Sequence, residues 1–384
     1  MRELLEAVEG YRDRMVDLTK QLVSMATENP PGNGYDECAG FLHQHLLELG
    51  FDQTAREGDC VLSFLGNGPR TLYFHGHYDV VPAQSPAQFQ PYVKGPNLFG
   101  RGSSDMKSGL AAMIYAARAI GDCGIALKGR IGIVCVPDEE TAGEHGSRYL
   151  ASRDLLGQDA IGMLTPEPTG GVVWNANRGA ITLRVTIKGR STHVGRQHEG
   201  INAFERMLPV AQGLMALKSE VEPQSILMLG GRAEGGSNFN TVPSSFSFTL
   251  DRRTNPDENF DEQKRRLFAI FDDARARGID LEVETLQEGR SCGVPEDGPL
   301  ASSLARNIEQ VTGSPSKFEM CPGLLEIRFY AERGVPAFAY GPGLLTVSHG
   351  PNEFVPVDGI VRCAQIYALT AVECLGVGLF PGTP

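Results

Sequence analysis

Seven side chains in this sequence have acid–base or metal-ligand chemistry and fall at suggestive places: His77 and Asp79, Asp105, the adjacent Glu139 and Glu140, Glu167 and His349. Each has an ordinary reading when taken alone. His-x-Asp is common, paired glutamates often open helices, Asp105 can cap the helix that follows it, and Glu167 can sit in a turn. Two imidazoles and three carboxylates brought to one rim are a different matter. They offer the nitrogen and oxygen donors that a borderline divalent ion accepts, zinc foremost and cobalt or manganese as well. Five donors exceed the needs of one tetrahedral zinc but suit two ions that share a carboxylate. Asp79 is placed to accept the second N–H of the His77 ring. Of the paired glutamates, one can bind metal while its neighbour takes a proton from water.

Something must carry these residues to one place, and the hydropathy pattern supplies it. Apolar runs at 61–65, 71–75, 130–136 and 160–164 read as strands, with helices at 107–120 and 146–153. Such alternation predicts an α/β mixed sheet with helices on both faces. Ligand sites on these sheets lie beyond the C-terminal strand ends. Strand 71–75 runs into His77 and Asp79, 130–136 into Glu139 and Glu140, and 160–164 into Glu167. Asp105 precedes the 107–120 helix, and the loop after a strand at 336–340 carries His349.

Two helices are predicted in the first 48 residues, separated by the loop Asn29-Pro30-Pro31-Gly32-Asn33-Gly34. Near residue 180 the texture changes. Ile181, Leu183, Val185 and Ile187 alternate as on a half-exposed strand. A helix at 203–217, strands at 225–229 and 244–252, a helix at 260–277 and a strand at 280–285 complete a ferredoxin-like β-α-β-β-α-β order. The prediction is therefore an inserted α+β domain, 179–289, within a discontinuous catalytic domain of 1–178 and 290–384. The latter closes with helices at 302–311 and 357–375.

Seven stretches together carry a family resemblance: FHGHYDVVPA (74–83), GRGSSDMKSG (100–109), VPDEETAGEHG (136–146), TPEPTG (165–170), STHVGRQHEGINA (191–203), GGSNFNTVP (235–243) and GPGLLTVSHGPNEFVP (341–356). The chain resembles the co-catalytic zinc amidohydrolases that include acetylornithine deacetylase, succinyl-diaminopimelate desuccinylase, aminoacylase-1 and carboxypeptidase G. The likeness runs in order from the SMATENPPG loop (24–32) to the last helix. It implies a zinc-peptidase-like catalytic domain with a dimerisation and lid domain inserted. His77 and Glu167 would bind one zinc, Glu140 and His349 the other, and Asp105 would bridge them. Asp79 would orient His77, and Glu139 would act as general base, passing the proton of an attacking water to the leaving amine. A cis peptide is implied at Asp105–Met106. His193 is implied as an oxyanion stabiliser reaching across a homodimer, or else it is a loop histidine. Asn240 and Arg253 match substrate positions, although Arg253 could equally pair with Asp251 or Asp257.

The pattern is also departed from. Where relatives carry a Gly-Thr-Asp-Ala-Arg-like run, this chain has Leu324-Leu325-Glu326-Ile327-Arg328. Arg328 is retained and can grip a substrate carboxylate bidentately. Leu324, Leu325, Leu344 and Leu345 either line an apolar mouth or pack beneath the site. Ser108 stands where Gly is frequent. His75 reads as core, His145 and His198 as solvated, and His43 and His45 as helix residues.

Composition narrows the rest. Across 384 residues, 35 Lys and Arg oppose 47 Asp and Glu for a net charge of −12, with no basic run, which disfavours nucleic acid and anionic lipid as partners. No apolar stretch approaches a membrane span, and MRELLEAVEGYRDRM lacks the apolar centre of a signal peptide. Eight scattered cysteines without C-x-x-C spacing read as reduced thiols. The expectation is a cytoplasmic hydrolase of N-acyl amino acids, with a dipeptidase or carboxypeptidase using the same two metal ions as the alternative. A silent binding protein would lack a ligand or the base, and a nucleotide enzyme would need a G-x-G-x-x-G that the 100–104 run does not have.

Overall fold

The computed structural model describes residues 1–51 and 53–376. The chain divides into two compact units. The larger holds residues 1–176, 293–321 and those from Leu325 on; the smaller holds Asn177–Cys292 and Pro322–Leu324. The sequence-derived boundaries at 178/179 and 289/290 fall within three residues of the main cuts, and the short 322–324 segment has no counterpart in them.

One nine-stranded mixed sheet underlies the larger unit. Its order is Gln53–Glu57, Cys60–Leu65, Arg130–Val136, Thr71–His77, Ala160–Thr165, Ala337–Ala339, Val173–Asn177 and Cys292–Gly293, with Phe318–Cys321 also beside Val173–Asn177. The centre is parallel: Thr71–His77 runs with both Arg130–Val136 and Ala160–Thr165, and Ala337–Ala339 runs with the latter. Parallel neighbours end on the same edge, which is why the segments after these strands meet. His77 pairs in register with Val136, so the loop bearing Glu139 and Glu140 begins just past it.

Thr71–His77 is buried at every position, as a central strand covered on both faces must be. Leu72 and Phe74 join the large apolar core, with Phe74 4.8 Å from the Tyr367 ring on helix Val357–Leu375. Tyr73 and His75 point the other way and pack on Tyr330 of helix Ile327–Ala331. By the two-residue period of a strand, His77 shares this second face.

Two glycines let the site-bearing segments close together. A Cβ on Gly109, in helix Ser108–Asp122, would lie 2.4 Å from the Pro166 carbonyl, and one on Gly341 would lie 2.3 Å from that of Glu167. Any side chain at either position would push the Glu167 segment away.

The structure differs from the sequence reading at several elements. The first predicted helix is two, Arg2–Gly10 and Arg12–Ser24, because Tyr11 leaves helical geometry at φ −92°, ψ 4°. The apolar period continues through the break, so periodicity alone does not reveal it. Gln53–Glu57 is a strand whose polar sequence hides it: it lies on the edge of the sheet and buries little. A separate three-stranded sheet of Tyr92–Lys94, Asn97–Phe99 and Phe354–Pro356 was likewise not anticipated.

The smaller unit follows the predicted β-α-β-β-α-β order: Gly179–Lys188, Ala203–Val221, Ile226–Gly235, Ser245–Thr254, Phe260–Ala276 and Leu281–Gly289. Its four strands are antiparallel and have their own apolar core, with Ile181, Leu183, Val185 and Ile187 inside. Asn202 and Asn259 cap the two helices by accepting main-chain N–H groups.

Candidate metal centre

His77 ends its strand with the ring buried. Nδ1 lies 3.1 Å from the main-chain carbonyl of Asp79 and 3.3 Å from its carboxylate. A carbonyl only accepts, so Nδ1 carries a proton and Nε2 is the nitrogen left to bind a cation. Asp79 thus orients the ring through its backbone as well as its carboxylate. That carboxylate also accepts the main-chain N–H groups of Glu139 and Glu140, each at 3.2 Å.

Around His77 Nε2 stand Asp105 at 3.3 Å and Glu139 and Glu167 at 3.9 Å. His349 Nε2 faces Asp105 at 3.4 Å and Glu140 at 3.2 Å, from a residue at φ +64° that remains about half exposed. Two sets of donors result, His77–Asp105–Glu167 and Asp105–Glu140–His349, each with ligand atoms within 4.8 Å of one another and with Asp105 common to both. The five sequence-derived ligand candidates are thus brought together, with Glu139 and Asp79 beside them. The Asp105–Met106 peptide is cis.

The electrostatics show what the cluster lacks. Burial first, then repulsion from Asp105 and Glu140, outweighs His77 and holds Glu167 up at about 8. Glu139 and Glu140 are raised for the same leading reason. His349 is raised to about 11 by its contacts with Asp105 and Glu140. For His77, burial opposes the charge, yet Asp105, Asp79 and the nearby glutamates raise it well above its ordinary value. Four carboxylates in so dry a place ask for positive charge. Two buried atoms, His77 Nε2 and Glu167 Oε1, have no hydrogen-bond partner, an arrangement that is costly unless something else occupies them. Divalent cations fit on both counts.

Sequence reasoning passed over the residues that hold this cluster in place. Asn29, read only as part of a loop, is buried and donates to Asp79 at 2.9 Å and Thr141 at 3.0 Å. Asp138, at φ +66°, accepts Tyr35 Oη and the His145 N–H, each at 2.9 Å, and so shapes the turn beyond Glu139–Glu140. Lys107 donates to the carbonyls of Leu22 and Met25 at 2.8 Å, closing the end of helix Arg12–Ser24. An Asn before Pro-Pro and a Lys after the Asp were the only signals, and neither names a partner.

The remaining candidates are not members of these two donor sets. Arg328 is buried, 3.3 Å from Glu326, and donates to the Leu325 carbonyl at 2.7 Å. Leu324 and Leu325 are buried, Leu344 is half-buried and only Leu345 is exposed. His75 is fully buried between Ser147 Oγ at 2.9 Å and Tyr330 Oη at 3.0 Å, and burial lowers it to about 3. Ser108 is buried with its hydroxyl unpartnered. In the smaller unit, exposed His193 accepts the Gly195 N–H on Nδ1 at 3.1 Å, which leaves the ring proton on Nε2. The Asn240 carbonyl accepts the Val194 N–H at 2.9 Å, so Asn240 is beside His193. Arg253 grips Asp251 with two nitrogens, each at 2.8 Å.

Comparison with known proteins agrees with this architecture. A succinyl-diaminopimelate desuccinylase of Thioalkalivibrio sulfidiphilus is 26% identical over 370 residues, spanning 92% of this chain and 96% of that protein. A dipeptidase from Saccharomyces cerevisiae superposes with a TM-score of 0.79 at 14% identity, covering 97% of this chain and 98% of its own. An M20 family metallo-carboxypeptidase from Sulfolobus solfataricus gives 0.77 at 16% identity, covering 93% and 99%. The model of peptidase family M20/M25/M40 matches residues 73–373. That span takes in all five candidate metal ligands, and the chain belongs to peptidase family M20/M25/M40, metal-dependent hydrolases of amide bonds.

Proposed function

We propose that the chain hydrolyses the amide of an N-acyl amino acid with two divalent cations, zinc being the ion its donors suit best and cobalt or manganese the substitutes. His77, Asp105 and Glu167 would hold one and Asp105, Glu140 and His349 the other. One observation carries this reading: two donor sets share Asp105, and within them the buried atoms His77 Nε2 and Glu167 Oε1 have no hydrogen-bond partner. Bound there, the cations supply Lewis acidity towards an amide carbonyl and make a water easier to deprotonate.

The chain's own groups do the remainder. Glu139 takes the water's proton and returns it to the leaving amine. Asp79 holds the His77 ring and the Glu139–Glu140 backbone together. His193, with its proton on Nε2, would donate to the developing oxyanion, and Asn240, Arg253 and Arg328 are the proposed substrate-binding residues. The acyl reading is supported by the desuccinylase relative. Cleavage of a dipeptide or of a C-terminal residue would use the same groups. The test is free-amine release across a panel of N-acyl amino acids and dipeptides, with added zinc and after chelation. Chelator-sensitive release from the acyl compounds is expected; preference for dipeptides would move the reading to a peptidase, and chelator-resistant release would end it.

The ferredoxin-like smaller unit is proposed as a dimerisation and lid domain. Phe204, Leu208 and Met215 are exposed along helix Ala203–Val221, and Ile226 and Met228 along the adjacent edge strand, an apolar surface of the kind a second copy would cover. Sedimentation of monomer alone at micromolar concentration would remove the basis for His193 acting across a dimer. A cytoplasmic location is proposed from the sequence, whose eight cysteines are scattered without C-x-x-C spacing. Among the described residues no helix is long and apolar enough to cross a membrane.

A further inference from the structure

Asp105 and His349 come from segments far apart in sequence, and one buried ion pair touches both. Arg101 and Glu353 are almost wholly buried and meet at 2.6 Å. Glu353 Oε1 accepts three main-chain groups of the loop leading to Asp105: the N–H of Gly102 and of Ser104 at 3.0 Å and that of Asp105 itself at 3.1 Å. The other arm of Arg101 donates to the His349 carbonyl at 3.2 Å. One carboxylate therefore fixes the backbone of Asp105, and its guanidinium partner fixes that of His349, a residue whose positive φ needs an outside hold.

The pair has its own foundation. Strand Asn97–Phe99 ends just before Gly100-Arg101, and strand Phe354–Pro356 begins just after Glu353. They pair in one small sheet with Tyr92–Lys94, and Tyr92, Phe99 and Phe354 lie in register across it. Their rings follow one another at 5.1 and 5.4 Å. This aromatic row locks the two strands, and with them the two charged residues, at one spacing.

We propose that Glu353, acting with Arg101, is a positioning residue for the Asp105–Glu140–His349 half of the metal centre; the inference rests on the two-cation reading above. Between them the two charges are bonded to the backbones of two donors in that half, Asp105 through Glu353 and His349 through Arg101. The opposite half draws His77 from the sheet and Glu167 from a different strand end, so it depends on the pair only through Asp105.

The test is stepwise zinc affinity, measured by competition with a chromophoric chelator on metal-free protein. His349→Ala identifies which binding step belongs to that half. Glu353→Gln keeps shape and an acceptor oxygen but turns an amide N–H₂ towards Arg101, breaking the link to His349. It is expected to weaken the His349-dependent step about 10–100-fold, the range typical of groups that orient metal ligands, and to leave the other step within about threefold. Arg101→Lys keeps the charge but cannot reach both partners, and a smaller loss on the same step is expected. It decides the matter alone if Glu353→Gln does not fold. Unchanged affinities, or equal loss on both steps, in a folded variant would overturn the proposal. Wild-type protein that binds fewer than two ions would instead sink the two-cation reading itself.

Discussion

The candidate residues of the two units are held in opposite ways. In the larger unit, His77 and Glu167 are buried with atoms that no protein group satisfies, and the surrounding carboxylates repel one another. In the smaller unit, His193 is exposed with Nδ1 already bonded to a neighbouring N–H, and Arg253 is paired with Asp251. A cluster that is unsatisfied on its own is complete only with something added, whereas a satisfied surface residue must exchange one partner for another. Effects should therefore be largest in the first group and decline towards the second.

The steepest loss is expected from Asp105→Ala, which removes the donor common to both sets: turnover should vanish and bound metal fall from two towards none, read by elemental analysis. Glu139→Gln should lower kcat by about 10²–10⁴-fold while metal content stays at two. Survival of activity within tenfold would remove Glu139 as the base. His193→Ala is expected to cost about 10²–10³-fold in kcat with metal unchanged. A mixed dimer of His193→Ala and Glu139→Gln chains would regain activity only if the histidine acts on the partner's site.

Metal removal sharpens the contrast through pH. Glu167 rises from 4.5 to about 8 in the cation-free fold, so its ionisation destabilises that fold progressively as pH climbs from below 5 to about 8. His349 rises from 6.5 to about 11, so the stability it contributes is full below 6.5 and declines as pH climbs towards 11. Both run the same way. The melting temperature of chelated protein should fall between pH 6.5 and 9, and the gain on adding zinc should widen. A gain that shrinks with pH would contradict the charge balance described here. The smallest effect belongs to Arg253→Ala: with its guanidinium committed to Asp251, a change in KM below about tenfold and in stability of at most about 1 kcal/mol is expected.

The larger unit's site was legible because buried parallel strands announce themselves. After its first residue, strand Arg130–Val136 is an uncharged, largely apolar run that stops at Pro137, and the acids follow at once. Helix Val357–Leu375 was bounded correctly because its apolar face has no competing period. Partnership across long separations could not be read. Nothing local in Arg101 points to a glutamate 252 positions away, and the orientation of Arg328 depends on Glu326 being buried beside it. The leucines illustrate the same limit: Leu324 and Leu345 look alike in sequence, and only packing separates the buried one from the exposed one. Polar edge strands such as Gln53–Glu57 escaped because their stability comes from pairing with a neighbour and not from burying side chains.

The central claim is that two cations sharing Asp105 carry out amide hydrolysis. It is tested most directly by titrating metal-free protein with zinc while following free-amine release from an N-acyl amino acid. Activity should be negligible without metal and reach its plateau at two ions per chain. Full activity in the metal-free protein, or a plateau that Asp105→Ala reproduces, would contradict the account.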